Sequence, residues 1–199
     1  MSDFDKLARE WDKDKIHLER SYAIASALET MVILDSSMKA MEFGAGTGIL
    51  SFLLKDRLKE ITMLDSSSEM IKVCEEKIAF YGTRHIEARL MDLELEDTDQ
   101  TYDLIYSQMA LHHVTDVEPM LKKFHTLLNP GGSLAIADLY PEDGSFHGPD
   151  VKVHPGFDPE KLKETLHSNG FQKIEYKTCF EMKRETGKTY QIFLLAAKK

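Results

Sequence analysis

Four groups of residues have types and spacings suited to chemistry. In Glu42-Phe43-Gly44-Ala45-Gly46-Thr47-Gly48, three glycines alternate with small residues between two apolar stretches. Glycines there let the chain turn sharply and let a ligand press against main chain. N–H groups at the start of a following helix add a weakly positive site. Asp65 lies about 20 residues further on, the separation at which an acid reaches a ribose hydroxyl. A carboxylate can accept from both hydroxyls of one ribose. Capping the next helix is the competing role for Asp65, but Ser66, Ser67 and Ser68 are available for it. Asp92 stands in an acidic stretch with Glu94, Glu96, Asp97 and Asp99, and could be one more solvated acid there. Finally, His112 and His113 are adjacent imidazoles able to titrate near neutrality and move a proton. Packing or helix capping is the alternative for at least one of them. The histidines and acids match no metal-binding spacing, such as two histidines four apart on a helix, and no metal is expected.

The surrounding pattern says what must position these groups. Residues 38–43 form a short apolar run that reads as a buried strand, and helical spacing resumes at Ile49, Leu50, Phe52, Leu53 and Leu54. The glycines therefore join a strand to a helix. A second strand over 61–64 ends at Asp65, and a helix over 67–81 stops at Gly82. Alternation over 85–92 predicts a third strand ending at Asp92, and 101–107 a fourth, ending just before Gln108. A helix over 117–128 follows Asp116. Asn129-Pro130-Gly131-Gly132 is a turn signal ahead of a fifth strand running to 140. Residues 140–158 have the composition of a long loop, which inside a compact domain is often functional. A helix over 159–169 closes at Gly170, and 171–185 and 188–199 read as two final strands joined near Gly187. Upstream, 3–30 are helical with a break around 12–15. The only tryptophan, Trp11, either packs this segment onto the body or helps close a lid, while Arg20 and Tyr22 are expected at the surface.

Alternation of strand and helix predicts a mainly parallel sheet covered on both faces, with ligands at the C-terminal strand ends. The chain of 199 residues is read as one domain, 1–199, with a helical cap over 1–30 and a substrate-side loop over 140–158. A net charge of −9 argues against generic nucleic-acid binding. The charged N-terminus is not a secretory signal, and no apolar run approaches the ~18–20 residues of a membrane span. Cys74 and Cys179 are far apart and show no metal or redox spacing, and a reducing cytoplasm is the expected location.

The glycine run departs from the dinucleotide fingerprint G-x-G-x-x-G, since Ile49 stands where the third glycine belongs, and no P-loop lysine follows Gly48. Glu42 to Gly48 resembles motif I of the class I S-adenosylmethionine-dependent methyltransferases. Residues 102–114 resemble that family's motif IV region, and Pro130-Gly131-Gly132 before an apolar strand is a further likeness. The resemblance covers residues 38–140 well and the rest more loosely, and is greatest to the small-molecule enzymes of ubiquinone and menaquinone biosynthesis. It implies a Rossmann-like α/β fold: a seven-stranded sheet of order 3-2-1-4-5-7-6, helices on both faces, an N-terminal helical lid and an antiparallel last strand. It implies S-adenosylmethionine as cofactor, held by Glu42, Gly44, Ala45, Gly46 and Gly48, by Asp65 and Ser66 at the ribose, with Met70 beside the ribose or in the core, by Asp92 and Leu93 at the adenine, and by Gln108 at the methionine end, which positions similar to Arg20 and Tyr22 sometimes reach in that family.

The implied reaction is in-line transfer of the sulfonium methyl to a small-molecule nucleophile, in which positioning can supply much of the acceleration. If the acceptor arrives protonated, His113 is the first candidate base and His112 the second. Trp11, His147 and His154 are the substrate-side candidates. The N-P-P-[YFW] motif of adenine and glutamine N-methyltransferases is absent: Ser107-Gln108-Met109-Ala110 stands in its place. Two other readings stay open, a nicotinamide-dependent oxidoreductase and a non-catalytic cofactor-binding protein on the same fold. Neither the acceptor nor the oligomeric state follows from the sequence.

Overall fold

A computed structural model describes residues 3–147, 151, 153–184 and 187–199. The predicted loop over 140–158 and the predicted strand over 171–185 each run partly outside these residues. Six α-helices and seven strands are described: α1 (Asp3–Leu7), α2 (Lys15–Met31), β1 (Lys39–Phe43), α3 (Ile49–Leu54), β2 (Glu60–Asp65), α4 (Ser68–Tyr81), β3 (Ile86–Leu90), β4 (Tyr102–Gln108), α5 (Val117–Leu127), β5 (Leu128–Leu139), α6 (Pro159–Ser168), β6 (Gln172–Lys183) and β7 (Thr189–Lys198). The sheet order is β3-β2-β1-β4-β5-β7-β6. β1 to β5 pair in parallel, and β7 runs antiparallel to both its neighbours. This is the Rossmann-like architecture expected from the sequence.

Side chains alternate across each central strand and so feed two cores. Leu104 and Tyr106 of β4, Ala135 and Ala137 of β5, and Ile192 and Leu194 of β7 pack with Ile24 and Leu28 of α2 and Leu50 and Leu54 of α3. The intervening Ile105, Leu134, Ile136, Phe193 and Leu195 pack on the other face with Leu121 and Phe124 of α5 and Leu162 and Leu166 of α6. Burial on both faces is why these strands read as near-continuous apolar runs.

Local chemistry sets the element ends. Asp14 caps α2 by accepting from the Ile16 N–H at 2.9 Å. Ser67 caps α4 by accepting from Met70 N–H at 3.2 Å, and Gly82 ends that helix in the left-handed region. Asp158 caps α6, with Pro159 at its first position. The predicted turn at Asn129–Gly132 becomes an irregularity inside β5. Pairing jumps there from Tyr102 with Leu128 to Leu104 with Ser133. Among the described residues no helix is long and apolar enough to cross a membrane.

Candidate active site

A cavity opens at the C-terminal ends of β1, β2 and β4, where order reverses between β1 and β4. Its floor is the glycine turn. Gly44 adopts φ of 63°, and a Cβ there would lie 2.3 Å from Ala110 Cβ, so the turn admits no side chain. A Cβ on Gly46, by contrast, would meet nothing within 4 Å. Gly46 lines the cavity, so ligand can lie against its main chain. Gly48, expected to touch a ligand, does not line the cavity. It starts α3, and its bare Cα clears Met63 Sδ, which an added Cβ would approach to 2.6 Å.

Asp65 at the end of β2 is bound to the turn opposite it. Its Oδ2 accepts from Gly46 N–H at 2.7 Å and its Oδ1 from Ser67 N–H at 2.8 Å. Each oxygen keeps one further acceptor position, enough for a pair of vicinal hydroxyls. Burial raises the Asp65 pKa above the ordinary carboxylate value, and the N–H groups of Ser67, Gly46 and Ser66 oppose that rise. Ser66, Met70, Asp92 and Leu93 complete this end of the cavity. Asp92 Oδ1 accepts from Glu94 N–H at 3.0 Å, which orders the acidic stretch around it.

At the other end stand Arg20, Gln108, Met109 and His113. Gln108 Oε1 accepts from Ser21 Oγ at 3.0 Å, tying β4 to α2. Met109 holds φ of 54°, in the left-handed region, where a side chain carries strain of about 1–3 kcal/mol. Arg20, expected at the surface, is buried at 6% exposure, whereas Tyr22 is exposed. Burial lowers the Arg20 pKa to about 10, so it stays charged at neutral pH. Its Nε is buried without a hydrogen-bond partner. One signal in the sequence could have found it. Arg20 falls one turn before Ile24 and two before Leu28, on the stripe that packs.

Glu42, expected to contact cofactor, lies behind the turn and outside the cavity lining. It is wholly buried, because β1 aims it at α3. Ser51 Oγ donates to its Oε2 at 2.5 Å, and that hydroxyl also contacts Tyr106 Oη at 2.6 Å. Burial raises the Glu42 pKa to about 8 against the Ser51 hydrogen bonds.

The two histidine rings pack 4.2 Å apart but meet different surroundings. His113 lines the cavity, and burial, with neighbouring His112 and His147, lowers its pKa to about 3. His112 is buried behind it, not in the lining. Its Nδ1–H donates to Asp138 Oδ1 at 2.7 Å, and its Nε2 lies 2.8 Å from His147 Nε2. His147 and His154, expected on the substrate side, do not line the cavity, nor does any other described residue of 140–158. His154 N–H donates to the His112 carbonyl at 2.9 Å, so this loop braces the histidine turn from behind. The N-terminal segment supplies part of the cavity wall. Phe4 and Trp11 line the cavity, and Phe4 stacks edge-on against His113 at 5.1 Å. Asp12 accepts from Thr47 Oγ1 at 2.5 Å and pairs with Lys77 at 2.5 Å, while Asp5 accepts from Ser67 Oγ at 2.6 Å.

Residues 41–136 match the family described as methyltransferase domain. An uncharacterized methyltransferase of Schizosaccharomyces pombe is 32% identical over 157 residues, covering 70% of this chain and 55% of that protein. The ubiquinone/menaquinone biosynthesis C-methyltransferase UbiE of Idiomarina loihiensis is 24% identical over 176 residues, covering 70% of this chain and 68% of UbiE. Among solved structures, the N-methyltransferase NodS of Bradyrhizobium japonicum, in complex with S-adenosylhomocysteine, superposes with a TM-score of 0.75 at 16% identity, covering 100% of this chain and 99% of NodS. The chain spans about half the length of some curated relatives it matches, 55% and 54% for two of them. Family match, relatives and strand order agree that residues 41–136 form a methyltransferase domain of the class I, S-adenosylmethionine-dependent type.

Proposed function

We propose that the protein transfers a methyl group from S-adenosylmethionine to a small-molecule acceptor. The observation that carries this reading is the composition of one cavity, with an open glycine backbone, Asp65 at one end and a buried, incompletely partnered Arg20 at the other. These residues fit the donor's parts. Asp65 has two free acceptor positions for the ribose hydroxyls. Asp92 and Leu93 offer a carboxylate and an apolar contact to the adenine, with Ser66 and Met70 beside the sugar. Arg20 offers its guanidinium to the amino-acid carboxylate, a charge-assisted pairing. Bound there, S-adenosylmethionine supplies a methyl on a positively charged sulfur, already activated for displacement.

The protein's own contribution is then to hold and to exclude. Gly44 to Gly46 and Gln108 fix one partner, and Phe4, Trp11 and His113 wall the acceptor side and keep water out. His113 binds a proton too weakly to remove one efficiently at neutral pH, so it orients the acceptor. Overall negative charge and the missing N-P-P-[YFW] motif favour a small acceptor over nucleic acid. The likeness to UbiE favours the same class. Two free cysteines suit a reducing cytoplasm.

Calorimetry with S-adenosylmethionine and S-adenosylhomocysteine tests the first half. Saturable binding of both is expected, and binding of neither by folded protein ends the proposal. A screen of small acceptors with isotopically labelled donor, read by mass spectrometry, tests the second half. Donor binding without methylated product from any acceptor would point to a non-catalytic role.

A further inference from the structure

Behind the cavity wall, the fold brings three histidines together from two distant segments. His112 and His113 come from the single turn Leu111–His113 after β4, and His147 from the loop after β5. One ring nitrogen from each lies within 4.8 Å of the others. Asp138, at the end of β5, is fully buried and accepts from His112 Nδ1–H at 2.7 Å. A carboxylate only accepts, so this bond fixes the proton on Nδ1 and leaves the Nε2 lone pair aimed at His147. Carboxylate–histidine pairs of this kind support metal ligands, orienting the ring and raising its basicity. The 2.8 Å bond between His112 and His147 explains two of the rings. It leaves His113 without any hydrogen bond to its ring among the described residues, although that ring packs against both others at 4.2 and 5.0 Å between centroids.

We propose that His112, His113 and His147 form a binding site for one divalent transition-metal ion of the zinc class, with Asp138 as the positioning residue for His112. Imidazole nitrogen suits zinc, copper, iron and nickel, and a three-histidine set leaves a fourth position open. Metal–nitrogen bonds of about 2.0–2.1 Å in tetrahedral geometry hold ligand atoms roughly 3.3 Å apart. The His112–His147 gap must therefore widen by about half an ångström, and His113 must draw inward. His147 sits on a loop rather than in the sheet, so it can supply the movement. On binding, the proton between the two Nε2 atoms moves to His147 Nδ1, and the metal takes its place, with no net proton released. Because His113 also lines the cavity, the ion would lie at the cavity edge. There its open position could take water or an oxygen or nitrogen donor of the acceptor. The metal site itself does not depend on methyl transfer.

The test uses the untagged full chain, stripped with chelator, with Co²⁺ alone as spectroscopic probe and Zn²⁺ as competitor, and no methyl donor present. One equivalent of Co²⁺ should bind with the intense visible absorption of a low-coordinate site, and Zn²⁺ should displace it. His147→Ala and His113→Ala should each weaken binding by about 100-fold or more. Asp138→Asn should weaken it by about 10–100-fold, the range for a residue that orients a ligand. His154→Ala, a neighbouring histidine outside the cluster, should change nothing. Thermal melts of each variant separate lost ligation from lost folding. No saturable binding by the intact protein, or binding unaffected by His147→Ala and His113→Ala, would overturn the proposal and leave a hydrogen-bonded histidine pair bracing the loop.

Discussion

Replacing Arg20 by methionine is expected to move folding stability and ligand affinity in opposite directions. Arg20 is 6% exposed, and its Nε has no hydrogen-bond partner. Asp138 and Asp14 attract it, Arg184 repels it, and burial still lowers its pKa. A cation held so imperfectly weakens the ligand-free fold. Burying a charge costs several kcal/mol of lost hydration, which an apolar side chain of similar length does not incur. Arg20→Met should therefore melt no lower than the wild type without ligand. A hydrogen bond to a charged group contributes about 1.5–3 kcal/mol, which is roughly 10- to 150-fold in affinity. S-adenosylhomocysteine should lose affinity by that factor in Arg20→Met. 5′-Methylthioadenosine, which lacks the amino-acid carboxylate, should bind both proteins alike. Calorimetry with the two ligands on the two proteins closes a cycle that isolates the guanidinium–carboxylate contact. Equal losses for both ligands would show that the substitution disturbs the cavity generally, and no loss for either would remove Arg20 from the site.

Four further outcomes are expected. Asp65→Ala should weaken S-adenosylhomocysteine by about 1–3 kcal/mol, and an unchanged dissociation constant in calorimetry would show that the carboxylate serves only Gly46 and Ser67. Gly46→Val should abolish binding, since Gly46 holds φ of 55° and faces open cavity; calorimetry on folded variant checks it, and retained affinity would mean that ligand does not lie there. Glu42, with its folded pKa raised from 4.5 to about 8, binds a proton in the native state that the unfolded chain gives up. Its contribution is full below about pH 4.5 and is lost as pH rises through about 8, so the melting temperature of Glu42→Gln should gain on the wild type between pH 5 and 8; a constant difference would contradict a protonated Glu42. Trp11 lines the cavity as the sole tryptophan, so its emission should shift when S-adenosylhomocysteine binds, and identical spectra and protease sensitivity would count against an N-terminal lid.

The glycine turn and Asp65 were legible in the sequence because both depend on local rules. An apolar run ending in alternating glycines must turn, and an acid closing the next parallel strand must emerge at the same sheet edge. The strand order followed from the resemblance, and the helix ends from caps such as Ser67 and Gly82, which act within a few residues of themselves. What depends on contacts across the chain was not legible. Arg20 shares the stripe of Ile24 and Leu28, but only the packing of α2 decides that it faces the cavity. Glu42 looks like a ligand residue until α3 brings Ser51 to it and buries both. The N-terminal segment and the loop over 140–158 were both expected beside the site, yet only the N-terminal segment lines the cavity, through Phe4 and Trp11, and no described residue of the loop does. The three-histidine cluster is the clearest case. His112 and His147 are 35 residues apart, with α5 and β5 between them. No spacing rule joins them, because their meeting is set by where β5 delivers its loop against the end of β4.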